Sequence, residues 1–421
     1  MLRIIALVGF ASCALGLATD HAGAGAPRAR RHLTRGRVEL SHPPTDIANV
    51  SGVIPVGNLN PGGGHLLAVN HMYLGYPFPA TGGAYSYPVY AMGDGAVVMV
   101  IRTEVAGMAD ADWEVFVSHG SGVTSYFIHI HGISTRLQHV IAATPDAAWI
   151  AVGQVGRLLL LGARGAPAPL AVTAGEQIGI TKSYSHNWDV GVIDSHVSTA
   201  FAGQGPRRYP TFADYVQLLG IDAPSPYPGQ QTINAVCFIN YLKSDIRDAW
   251  FNLLTSTPKT CGRPGWDLPG KLRGAWFNPS LDTASPPPLF ELESGAISII
   301  PDNQAPTANV QIGIASGNHF AALDPDRRYL QLGSPFRIPI NTASQARINP
   351  DPALVGPSTG TVCYDLLYGS DAGPRYNTIL FHMVSETSVA IKFDPIAFGG
   401  PQCAAIPLGE PDSTWTTTYV R

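Results

Sequence analysis

Three short stretches carry residues whose types and spacing could do chemistry. In the first, His65 and His71 flank Asn70 within Gly57-Asn58-Leu59-Asn60-Pro61-Gly62-Gly63-Gly64-His65-Leu66-Leu67-Ala68-Val69-Asn70-His71. In the second, His129-Ile130-His131 sets two imidazoles at i and i+2, which on a regular strand share a face. The third, Ser185-His186-Asn187-Trp188-Asp189-Val190-Gly191-Val192, offers Asp189 or Asn187, depending on register. Imidazole and carboxylate are zinc ligands. Catalytic zinc takes three of them and leaves a fourth position for water, whose pKa falls to about 7. His65, His71 and Asp189 could supply such a set, with His129 or His131 as proton donor or oxyanion partner. The competing expectation is that these groups are hydrogen-bonded polar positions in a mouth that holds no metal.

Such residues need a scaffold, and the surrounding sequence describes one made of strands. Val97–Arg102, Trp113–Ser118, Thr124–His131, Ala148–Val152, Arg157–Leu161 and Gln177–Ile180 are β-branched or alternating runs cut by glycine and asparagine. His119-Gly120-Ser121-Gly122 joins two of them as a hairpin turn, and His119 is expected to shape that turn.

The order of these pieces resembles the lysostaphin-type zinc metallopeptidases. Val89-Tyr90-Ala91-Met92-Gly93-Asp94-Gly95-Ala96-Val97 matches a "V-x-A-x-x-D/N-G-x-V" strand, and His119-Gly120-Ser121-Gly122 matches "H-G-x-G". His129 follows ten residues later, where that family has a catalytic His, and Gly175 to Gly179 matches "G-x-x-I-G". The resemblance covers about a third of the chain. It implies an antiparallel β domain over 38–203 and metal ligands at His65, Asn70, His71 and Asp189, with His129 and His131 catalytic. Asn70 stands near the family's Asp, and at the last ligand position Asp189 or Asn187 replaces His. The resemblance therefore implies either a domain that has lost full zinc-hydrolase activity and serves binding or assembly, or a zinc-dependent hydrolase of peptide or amide bonds in a cell-envelope polymer. An envelope peptide or glycan is the expected partner in both cases.

Composition excludes several other classes. Of 421 residues, 45 are Gly and 36 Pro, while only 13% are charged and 45% are hydrophobic, which is foreign to a coiled coil or a disordered chain. A formal net charge of −4 gives no basic footprint for nucleic acid. The sequence predicts a turn-rich, mainly β protein with a helical insert.

Residues 1–18 read as a signal peptide: Arg3, then an apolar run from Ile4 to Leu17 that is too short to span a bilayer comfortably. Cys13 alternatively resembles a lipoprotein anchor, which would place the protein on an outer surface. No later segment suggests a transmembrane helix. A basic flexible leader occupies 19–37. Cys237, Cys261, Cys363 and Cys403 remain, an even number suited to an exported chain. Cys237–Cys261 and Cys363–Cys403 are the favoured pairs, because each lies within one apparent unit. Residues 204–284 read as a helical bridging segment, from the spacing of Phe212, Tyr215, Val216 and Leu219 and of Val236, Ile239, Leu242 and Ile246. Residues 285–421 read as a C-terminal β domain. Trp266 and Trp276 suit either a core or a sugar-stacking surface.

Overall fold

The computed structural model describes residues 38–59, 67–76, 86–104, 111–152, 156–182, 187–197, 234–277, 279, 296–314, 336–343, 345–370, 373–394, 403–412, 415 and 417–421. His65, Cys13, the signal and leader segments, the proposed helix at 212–219 and the Pro-rich stretch at 285–288 lie outside the described residues. Residues 38–421 form one compact unit, built on antiparallel sheets.

The first part contains β1 (Gly52–Ile54), β2 (Met72–Gly75), β3 (Ser86–Tyr90), β4 (Gly95–Thr103), β5 (Asp112–Ser118), β6 (Val123–Ile130), β7 (Gly132–Ile133), β8 (Trp149–Val152), β9 (Gly156–Leu160), β10 (Leu170–Val172), β11 (Gln177–Lys182), β12 (Asn187–Asp194) and β13 (Ala235–Val236). The large sheet runs β1-β2-β12-β6-β5-β4-β9-β8, with β10 on β4 and β13 on β12. A small sheet, β3-β11-β7, lies apart from it. Alternation along each strand sorts the side chains. Trp188, Val190 and Val192 of β12, Val115 and Val117 of β5 and Phe127 of β6 build the main core. Their neighbours Phe116, Tyr126 and Ile193 build a second cluster with Met99, Leu158 and Leu160. Asp189 and Gly191 share the side of Ile193, so the polar residues of interest sit on the face opposite the main core.

Between β7 and β8 lies α1 (Thr135–Ala142), capped by the Ser134 hydroxyl, which accepts from the Leu137 N–H. After β13 come a short 3-10 turn, Phe238–Tyr241, and α2 (Ser244–Asn252), whose Trp250 is buried against Phe238. The helical character read from 236–251 is thus real but brief.

The C-terminal sheet contains β14 (Gly274–Phe277), β15 (Ala296–Pro301), β16 (Asn309–Ile314), β17 (Phe336–Pro339), β18 (Val362–Ser370), β19 (Gly373–Ser385), β20 (Ser388–Asp394) and β21 (Thr417–Val420). Its order is β17-β16-β15-β14-β21-β20-β19-β18. The two end strands approach one another, so the sheet is nearly closed into a barrel. β14 belongs to this sheet although its residues fall within the segment read as a helical bridge. Trp276 is fully buried in this core and donates to the Leu272 carbonyl, which removes it from any sugar-stacking surface. Both expected disulfides are present, Cys237–Cys261 and Cys363–Cys403.

The two sheet systems meet through polar groups as well. Asn303 Nδ2 donates to the Pro55 carbonyl at 2.8 Å, and the Leu59 N–H donates to Gln311 Oε1 at 3.4 Å. The strand that pairs with this stretch leads directly to Asn70, because Gly57 N–H donates to Val69 O and Val69 N–H to Asn58 O. Buried Gln311 and Asn303 therefore support residues 55–59, whose hydrogen-bonded partner Val69 immediately precedes Asn70.

Candidate functional site

The site is assembled from three neighbouring strands and one irregularity. β2 and β6 both pair with β12, setting Tyr73 opposite Asp189 on one side and Ile128 opposite it on the other. Asp189 is therefore central, and it is 3 % exposed. His71 immediately precedes β2, and His129 follows Ile128. The two imidazoles approach the same carboxylate oxygen: His71 Nε2 lies 3.3 Å and His129 Nε2 3.4 Å from Asp189 Oδ2.

His129 gets there through a bulge. Trp113 pairs with Ile130, but Val115 pairs with Phe127, so Ile128 and His129 together oppose Glu114 alone. His129 itself takes a left-handed backbone, φ +63°, a conformation more accessible to His than to branched residues. A bulge of this kind re-aims a side chain without ending the sheet.

That bulge corrects one expectation. On a regular strand His129 and His131 would share a face, but the chain is irregular at His129 and β6 ends at Ile130. His131 lies beyond the strand, buried, with its N–H donated to the Ile180 carbonyl where the two sheets are joined. His129 and His131 are therefore not successive same-face positions of one regular strand.

Two further groups orient the imidazoles. His71 Nδ1 lies 3.0 Å from Asn70 Oδ1, and His129 Nδ1 lies 2.7 Å from Asp112 Oδ2. Each Nδ1 faces an oxygen and each Nε2 is directed toward Asp189; on His129 both nitrogens face carboxylates, which suits a ring protonated at both. Asn70 is held in turn by Tyr126, whose hydroxyl lies 3.0 Å from both the Asn70 carbonyl and its Oδ1. Tyr126 lies directly across from Gly191, where an added Cβ would fall 2.0 Å from the phenol Cζ. Glycine at 191 leaves the space this ring occupies.

Electrostatics follow from these contacts. Burial pushes the His129 pKa down, but hydrogen bonds to Asp112 and Asp189 and their charges outweigh it and lift the pKa to about 11. His129 is an imidazolium at neutral pH, bracketed by two carboxylates. Burial, reinforced by Glu114, Asp189 and Tyr73, pushes the Tyr126 phenol well above 10, so it stays a donor.

The donor set tests poorly against zinc. Ligand atoms bonded at about 2.0–2.2 Å in a tetrahedron lie roughly 3.3–3.6 Å apart, and the two contacts to Asp189 match that edge. Yet no group of three or more His, Cys, Asp or Glu among the described residues is arranged to hold a metal ion. Asn70 gives its side-chain oxygen to His71 and Tyr126, and Asp189 is shared between two imidazoles. Within the described residues the array is a hydrogen-bonded and ionic network.

Sequence reasoning singled out Asn70, His71, His129 and Asp189, and these do converge. It missed Asp112, Glu114 and Tyr126. Asp112 and Glu114 alternate on β5 and could have drawn attention as two acids on one strand face, whereas Tyr126 carries no local signal. The expected hairpin His119 is structural. Its Nδ1 lies 3.0 Å from the Asp94 carbonyl and its Nε2 2.8 Å from the Ser125 hydroxyl, tying the turn to both neighbouring strands. Compared with known proteins, the chain matches no protein-family model and no curated sequence.

Proposed function

We propose that this is an extracytoplasmic protein whose first β domain is of the lysostaphin type and binds a cell-envelope peptide or glycan without cutting it. The succession of the glycine turns at 93–95, 120–122 and 175–179 supports the fold assignment. Two intrachain disulfides are compatible with an oxidising compartment, and among the described residues no helix is long and apolar enough to cross a membrane.

One observation carries the loss of catalysis. The carboxylate that would stand as a metal ligand, Asp189, is already engaged by His71 and by an imidazolium at His129. The oxygen at residue 70 is an amide with two partners of its own. What remains is a network of donors and acceptors fixed to one another, at whose edge the partly exposed His129 and Asp112 could meet a polar chain.

The decisive experiment is elemental analysis of the purified mature chain at neutral pH, repeated on His71→Ala and Asp189→Ala, with purified cell-wall polymer tested for sedimentation and for release of amino groups. Substoichiometric zinc, co-sedimentation and no released amine are expected. One zinc per chain, lost in both variants, would overturn the binding-only reading.

That outcome would establish the second reading, a zinc-dependent hydrolase of amide bonds. The matching 3.3 and 3.4 Å separations favour it, as do outer imidazole nitrogens held by oxygen acceptors, the arrangement that orients metal-bound histidines. His65, outside the described residues, is the ligand that reading would add.

A further inference from the structure

A second feature lies across β5, β4, β9 and β8, on the side of the large sheet that faces the main core. Arg102 of β4 is registered directly opposite Trp113 of β5 on one side and Arg157 of β9 on the other. Arg157 is opposite Ala151 of β8, two residues from Trp149. The guanidinium of Arg102 sits 5.5 Å from the Trp113 ring and that of Arg157 5.2 Å from the Trp149 ring. The result is a stepped row, with Trp113, Arg102 and Arg157 on one register line and Trp149 two residues off it on β8. It covers three interstrand spacings, about 14 Å, enough for a short oligosaccharide.

Stability does not explain this row. Like charges directly opposite on adjacent strands are destabilising, and here two arginines are cross-strand partners with side chains 40 % and 44 % exposed. Among the described residues each has one carboxylate neighbour, Glu104 at 2.6 Å and Asp146 at 3.0 Å, but those acids are 62 % and 93 % exposed. Exposed pairs of this kind contribute little. Arg102 Nε is buried and has no acceptor among the described residues. The indoles pack against the main core from its margin, which holds them in place without covering them fully.

We propose that this row binds an acidic sugar: the two guanidinium groups share one carboxylate or phosphate, and the indoles pack on the apolar faces of the flanking rings. Guanidinium forks match such anions in a bidentate way, and aromatic rings offer a flat apolar surface with polar edges. A densely charged partner fits less well, because the chain as a whole is acidic, with a net charge of −4, and would repel nucleic acid or an anionic membrane. A glycan that brings one ring carboxylate to the row needs only the two cations present. This inference rests on the row alone and stands whether or not the site around Asp189 binds a polymer or holds zinc.

Isothermal titration of the mature protein tests it, with trigalacturonic acid as probe and maltotriose and inorganic phosphate as controls. Trigalacturonic acid should bind at least tenfold more tightly than either control. Arg102→Gln with Arg157→Gln should weaken binding at least tenfold, and Glu104→Gln with Asp146→Asn should tighten it severalfold by removing the competing acids. Equal binding of maltotriose, binding of phosphate alone as tightly as the trisaccharide, or no binding at all would overturn the proposal. If the arginine variant fails to fold, the acid variant decides, and an unchanged affinity there refutes it.

Discussion

Replacing Asp112 by Asn isolates the contact that makes His129 a cation. Asp112 Oδ2 lies 2.7 Å from His129 Nδ1, and Asn can accept the same hydrogen bond without the charge. A hydrogen bond to a charged group contributes about 1.5–3 kcal/mol, and a pKa unit corresponds to about 1.36 kcal/mol, which gives roughly one to two units. The His129 side chain is 43 % exposed, and solvent screening places the expectation at the lower end, about one unit. The assay is an NMR titration of the imidazole resonances in metal-stripped protein. In the wild type His129 stays protonated through neutral pH and titrates near 11; in Asp112→Asn the midpoint falls by about one unit. The sign for stability follows. The folded pKa lies above the unfolded value of about 6.5, so the contribution is complete below 6.5 and is lost as pH rises toward 11. In the variant that loss begins at lower pH. A wild-type His129 titrating near 6.5, or a midpoint unmoved by the substitution, refutes the bracketed-imidazolium description.

Three other expectations follow from named contacts. Gly191→Ala drives a methyl into the Tyr126 ring and should cost about 1–3 kcal/mol as overpacking, seen as a lower urea midpoint with unchanged slope; a neutral result would show that the ring moves freely. His119 is held neutral, because burial lowers its pKa more than Asp94 raises it, so its contribution is present above about 6.5 and lost as pH falls through the depressed folded pKa. In His119→Ala the fall in melting temperature on acidification should be shallower, and the variant should lose about 1–3 kcal/mol where the Ser125 hydroxyl is left short of a partner. Finally, the disulfides close loops with sequence separations of 24 and 40, worth about 3–4 kcal/mol each by chain entropy. Unfolded, unreduced protein should show no free thiols from these four cysteines, and removing either bridge should lower the melting temperature.

Much of this architecture is legible along the chain because it is local. Alternation in β5, β6 and β12 and the glycines at the turns are written in consecutive residues, and strands such as Trp113–Ser118 and Gln177–Ile180 appear close to where they are read. The four cysteines pair within their units for the same reason. The candidate site is legible only in part. His71, His129 and Asp189 announce themselves by type, but their meeting depends on which strands are neighbours. The bulge at His129 is created by the pairing of β5 with β6, and no property of His129-Ile130-His131 alone reveals that the strand is irregular there. Asp112 and Tyr126 were hidden because their roles are defined by distant partners. Tyr126 matters only because residue 191, on another strand, is glycine.

The place of β21 in the C-terminal sheet has a consequence for how the molecule forms. β21 pairs with β14 on one side and β20 on the other, and the neighbouring Arg421 stacks on buried Trp276 at 3.7 Å and donates to the Leu268 carbonyl. Two half-sheets made earlier in the chain are thus joined by a strand that comes after both. Until Thr417–Val420 arrives, β14 and β20 present open edges, each a template for pairing with another chain. Such long-range closure is slow, so the nascent protein passes through a stage in which exposed edges outlast most of the fold. A chain interrupted before Thr417 would keep those edges permanently, and its fate would be self-association rather than a smaller version of the same protein.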